Sequence, residues 1–154
     1  MVNKEQLELF RIALISGYIQ VSSVIDWADS KIQNGSDDYI YIEIATTYNI
    51  NDMVSVLRQT AGEFDPQKVV RGFLGVLYNH YKNNPSDIEK IVRTLYQILL
   101  EFESSMTDNE RGTIYQLDDG YDLASQGIYG SMEEVSLELG AFLNEYFNEY
   151  ESMF

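Results

Sequence analysis

The stretch Asp38-Tyr39-Ile40-Tyr41-Ile42-Glu43-Ile44-Ala45 decides the fold class, because it reads as readily as strand as it does as helix. β-Branched and aromatic residues alternate there with polar or amphipathic ones over a strand-like length. Three features favour helix. Ser36 and Asp37 supply an N-terminal cap, Asp38 suits the positive end of a helix dipole, and the flanking sequence offers no sheet partner. A lone strand would leave its backbone N–H and C=O groups unpaired.

Helical periodicity continues on both sides of this stretch. Upstream, a segment of about Lys4 to Ser16 places Leu7, Phe10, Arg11 and Leu14 at helical spacing and stops near Gly17. A second begins after Ser22 and runs through Val24, Ile25, Ala28 and Ile32 to the Asn34-Gly35 breaker. Downstream, Asn51 is placed to cap a short helix with Met53, Val54 and Leu57, which Gly62 ends. Asp65-Pro66 opens the next, since proline at the first helical position gives up an amide that has no partner there. Val69, Val70, Phe73, Leu74, Leu77 and Tyr81 form its apolar stripe, which ends at Asn83-Asn84-Pro85.

Three segments carry capping-box spacing: Ser86 to Glu89, Thr107 to Glu110 and Ser131 to Glu134. After the third, Val135, Leu139, Phe142, Leu143, Tyr146, Phe147 and Tyr150 share one face of a single final helix, opposite Glu138, Glu145 and Glu149. The expected architecture is all-α: one irregular bundle of about seven or eight helices over residues 1–154, with short connections and no repeat.

Composition sets the outer limits. The 154 residues are 45% hydrophobic and 23% charged, enough for a packed core without staples. There is no cysteine, which excludes disulfides, thiolate metal sites and cysteine nucleophiles and fits a reducing compartment. The polar opening Met1 to Gln6, with no cleavage-type signal and no uninterrupted apolar run of roughly 18 residues, points to a cytoplasmic protein outside the membrane. The net charge is −15, which opposes direct binding to nucleic acid. That charge is unevenly spread: Thr113 to Phe154 holds nine acidic residues and no Lys, Arg or His.

Catalytic patterns are missing. The one histidine, His80, satisfies neither a di-iron bundle nor a zinc-protease motif, and near its helix end it suits the terminal carbonyls. Asp118-Asp119-Gly120-Tyr121-Asp122 looks oxygen-rich, but the twelfth position of a calcium loop falls on Tyr129 or Gly130 where glutamate is needed. No phosphate-binding or dinucleotide glycine pattern and no nucleophile elbow occurs. The expectation is a protein that is not an enzyme and uses no metal or cofactor.

What remains is recognition. Tyr115 to Tyr129 interleaves tyrosine with aspartate, and aromatic area beside carboxylates suits a basic protein partner. Leu117, Leu123 and Ala124 are placed to anchor the stretch. The candidate partner-binding residues are Asp118, Asp119, Tyr121, Asp122, Tyr129, Glu133 and Glu134. A solvated helix end and turn would look the same in sequence. Trp27 is open to two readings, a packed aromatic between helices or an interface anchor.

Val24-Ile25-Asp26-Trp27-Ala28-Asp29, Tyr39 to Ala45, Leu117-Asp118-Asp119, Asp122-Leu123-Ala124 and Gly127-Ile128-Tyr129-Gly130-Ser131 together resemble the small acidic helical immunity proteins of bacterial polymorphic toxin and contact-dependent inhibition systems. The resemblance implies a cytoplasmic antidote that binds a cognate toxin domain, commonly a nuclease, and blocks it without chemistry. It transfers no individual inhibitory residue. The alternative is an acidic helical adaptor or regulatory subunit that binds another protein.

Overall fold

A computed structural model of the chain describes residues 3–153. In chain order its elements are α1 (Lys4–Ile15), α2 (Val21–Gln33), α3 (Tyr39–Ala45), α4 (Ile50–Ala61), α5 (Pro66–Asn83), α6 (Ile88–Phe102), a 3-10 turn (Glu103–Ser105), α7 (Asp108–Ser125), α8 (Met132–Asn144) and α9 (Phe147–Met153). The described residues contain no strand. The helices group into two units, Met1–Asp65 and Pro66–Phe154, which meet in sequence where Gly62 ends α4 at φ 58° and Pro66 begins α5.

The ambiguous stretch is helical, and its burial explains the ambiguity. Ile40, Tyr41 and Ile44 are buried on one side of α3, while Tyr39 and Ile42 reach solvent on the other. A short helix that is apolar on both sides imitates strand alternation. Asp38 is itself the cap, accepting the Ile40 amide at 3.2 Å, one or two residues later than the expected Ser36 and Asp37. The cap of α4 also differs from expectation: Asn49, not Asn51, accepts the Asn51 and Asp52 amides, because Asn49 is the last extended residue before the helix.

In the first unit α1 packs on α4 and α2 on α3. Leu7, Phe10, Leu14, Val24, Ile44, Met53 and Leu57 form its apolar centre. Fully burying each such side chain stabilises the fold by about 1.5–3 kcal/mol before ordering costs. Trp27 is a packing residue: its ring meets Phe10 edge-on at 4.8 Å and Tyr41 at 5.4 Å. The buried Glu8 carboxylate is ion-paired with Arg11 one turn on, which relieves the cost of taking that charge from water.

In the second unit α6, α8 and α9 pack on α5, and α7 packs on both α6 and α8. Val69, Val70, Phe73, Leu74 and Leu77 are buried along α5 as their spacing requires, while Tyr81 donates to the Ser136 carbonyl of α8 at 3.0 Å. Of the three capping boxes, Thr107–Glu110 closes in both directions, at 2.8 and 3.1 Å. Glu110 is buried, and its second oxygen accepts the Tyr146 hydroxyl at 2.7 Å, so the cap also ties α7 to the α8–α9 joint. At the third, Ser131 accepts the Glu134 amide at 3.2 Å. The Ser86–Glu89 box does not form. Asp87 is the cap residue of α6, and its carboxylate instead lies 2.8 Å from His80 Nε2 at the end of α5.

The final helix is broken, which raises the count among the described residues to nine. The break at Glu145-Tyr146 lets α9 lie along α5 at Gly75, where a Cβ would sit 2.6 Å from the Tyr146 carbonyl oxygen. Phe147 then reaches Tyr78 edge-on at 5.5 Å. Helical periodicity continues across the break, which is why it is invisible in sequence. Among the described residues no helix is long and apolar enough to cross a membrane.

Candidate functional site

The acidic C-terminal third holds most of α7, a glycine turn, α8 and α9, and its candidate residues lie on the first three. The turn forms because Gly127 takes φ 70°, a left-handed conformation that costs an L side chain about 1–2 kcal/mol. The Gly127 amide bonds the Ala124 carbonyl at 3.1 Å and the Ile128 amide bonds the Leu123 carbonyl at 2.9 Å, the paired closure of a Schellman end. Ile128 and Tyr129 are thereby thrown into solvent, 66% and 76% exposed. Ser131 then caps α8.

Beneath this turn lies a groove of about 550 Å³ between α7 and α8, lined by Gln116, Asp119, Gly120, Leu123 and Tyr129 on one side and Gly130, Ser131, Glu134, Val135 and Glu138 on the other. Asp119, Glu134 and Glu138 bring three carboxylates to it, and among the described residues no cationic side chain lines it. Leu123 and Val135 supply an apolar floor. The groove is thus shaped to receive a side chain with an apolar stem and a positive end.

The other half of the candidate set faces elsewhere. Arg93 of α6 donates from Nη1 to Asp118 at 2.9 Å and from Nη2 to Asp122 at 2.6 Å, with its guanidinium 5.2 Å from the Tyr121 ring centre. Tyr121 is buried, and its hydroxyl donates to Glu89 at 2.8 Å. That bond, burial and the negative charge of Glu89 raise the Tyr121 phenol above its ordinary range. The bonds Arg93 donates to Asp122, then to Asp118, likewise hold its guanidinium above the usual value. Deeper in the unit, burial first and then the Glu110 bond push the Tyr146 phenol upward.

The seven candidates therefore divide. Asp119, Tyr129 and Glu134 meet in the groove. Asp118 and Asp122 share the single positive charge of Arg93, and Tyr121 is withdrawn from any contact surface because its ring is packed under that guanidinium. Glu133 is exposed on the first turn of α8 outside the groove lining. Sequence reasoning missed Glu138 and Gln116. Glu138 had a usable signal, since it follows Glu134 by four residues and so shares its side of the helix. Arg93 had a weaker one: Asp118 and Asp122 are also four apart, but the cation that bridges them lies 25 residues upstream of the first. Among the described residues no group of three or more His, Cys, Asp or Glu is arranged to hold a metal ion.

Comparison with protein-family models, with curated proteins and with solved structures yields no match to this chain.

Proposed function

We propose that this chain is a non-enzymatic immunity protein that binds a cognate bacterial toxin domain through the α7–α8 groove and covers a basic, nuclease-type active site. The observation that carries this reading is the groove itself: three carboxylates and an exposed tyrosine around an apolar floor, without a cation. A surface that holds nucleic acid neutralises backbone phosphates with Lys and Arg, so a nuclease cleft is commonly rimmed by cations. An acidic inhibitor is steered to such a site at rates approaching roughly 10⁸–10⁹ M⁻¹s⁻¹ at low salt. Inhibition needs occlusion only, and a standard interface covering about 800 Å² of each partner suffices. Glu133 and the other exposed acids of α8 add to the long-range field, while Tyr129 supplies local contact area.

The test is co-expression with the C-terminal domain encoded by the neighbouring gene, followed by copurification and a growth-rescue assay. Asp119→Asn with Glu134→Gln is expected to slow association several-fold and flatten its dependence on salt. Asp118→Asn with Asp122→Asn is expected to change association less, because Arg93 already screens those charges. Absence of both binding and rescue would defeat the reading for that pair.

A further inference from the structure

A second surface lies in the first unit, on the outer face of α3. Large apolar side chains that reach solvent are thinly spread over most of the chain, yet Tyr39, Ile42, Tyr48 and Ile50 fall within twelve residues, at 71%, 45%, 76% and 46% exposure. Tyr39 and Ile42 are three residues apart, on one side of the helix. Tyr48 and Ile50 follow where the chain passes from α3 into α4. The helical rise keeps the residues from Tyr39 to Thr46 within about 10 Å along the axis.

Isolated exposed apolar residues are ordinary, but four large ones within twelve residues, from one short helix to the start of the next, are the makings of an interface. Fully covered tyrosines contribute roughly 150–250 Å² each. With the two isoleucines they fill a large part of the about 800 Å² that one side of a standard interface needs. The cluster is also rigid from behind. Tyr41, on the opposite side of α3, packs against Trp27, and Trp27 against Phe10. A surface already held in shape loses little freedom on binding.

Charge identifies the occupant. Residues 32–57 carry Asp37, Asp38, Glu43 and Asp52, all exposed, and no Lys, Arg or His. Only Lys31 and Arg58, at its two ends, flank this acidic run, so two copies meeting through it would set like charges against each other, which disfavours self-association. We propose that the α3 face docks a basic protein, one that presents an apolar pocket for Tyr39 and Tyr48 inside a rim of Lys and Arg. This inference stands on the first unit alone and does not depend on the α7–α8 groove.

The experiment places the photocrosslinking residue p-benzoylphenylalanine at Tyr39, Tyr48 or, as a control, exposed Ser23 of α2, in the full chain expressed in its own cell. Irradiation is expected to give a discrete adduct from positions 39 and 48 but not 23, with a protein whose isoelectric point is above about 9. Binding of that purified protein should weaken at least tenfold for Tyr39→Ala with Tyr48→Ala and for Ile42→Glu, and should fall with added salt. These exposed positions leave the fold intact, which circular dichroism verifies. An adduct between two copies of this chain, an adduct with a protein lacking basic excess, equal labelling at position 23, or no adduct at all would overturn the proposal. Asp119→Asn with Glu134→Gln, measured against the same partner, reports on the groove separately: unchanged affinity there removes the groove from that complex and leaves the α3 face standing.

Discussion

The α3 helix and the second half of α7 both set tyrosine beside carboxylates with no base nearby in sequence, and they meet opposite fates. On α3, Tyr39 is 71% exposed and the surrounding acids have no cation within the residue run 32–57. On α7, Tyr121 is buried, and Asp118 and Asp122 are bridged by Arg93. The difference is the neighbouring helix. Helix α6 presents an arginine and a glutamate to α7, whereas α3 is backed by Trp27 on its inner side and meets solvent on its outer side. Composition therefore proposes an interface, and packing decides whether the surface is available.

That contrast is breakable. The largest effect is expected from the inward rings: Tyr41→Ala on α3 and Tyr121→Ala on α7 should each lower unfolding free energy by about 3–5 kcal/mol, read from urea midpoints. Tyr39→Ala should stay within about 0.5 kcal/mol. If Tyr39 matters as much as Tyr41, the outer face of α3 is packed and the comparison fails.

Next in size is Tyr146→Phe, which strips the buried Glu110 oxygen of its hydroxyl donor. The expected loss is about 1–3 kcal/mol. The same bond predicts a pH dependence. The Tyr146 and Tyr121 phenols are raised in the folded state, so their contribution is complete below the unfolded value of about 10 and is lost as pH rises towards the folded values. Wild-type stability should accordingly decline above about pH 10, and Tyr146→Phe should decline less steeply over the same interval. Parallel curves for the two proteins would show that this hydroxyl does not govern the alkaline limb.

The smallest effect on stability is expected at Arg93. Arg93→Gln should cost about 1 kcal/mol or less, since the guanidinium and Asp122 are both substantially exposed. It would nevertheless leave Asp118 and Asp122 facing each other and Tyr121 uncovered. Added salt should then stabilise the variant more than the wild type, measured by denaturation at low and high ionic strength. Equal salt responses would mean that Arg93 does not compensate the α7 acids.

Much of the helical arrangement was legible residue by residue. The stripe on α5, the reciprocal box at Thr107 and the stop at Gly62 follow from local rules that act within four or five residues. The expected continuity from Val135 to Tyr150 missed the break at Tyr146, because it is set by the close approach of α9 to Gly75, some 70 residues earlier in the chain. The candidate site was legible in part. Asp119, Tyr129 and Glu134 were among the residues singled out, but the same patterning also selected Tyr121, whose burial depends on Glu89 and Arg93 of another helix.

By itself, then, the sequence determined that this chain is helical, where most helices begin and end, and that its C-terminal third is strongly acidic. Caps, periodicity and charge are properties of neighbours along the chain. Only the tertiary structure decided which acids remain free to meet a partner and which are spent internally, because ion pairing and burial depend on residues that the fold brings together from 25 or more positions apart.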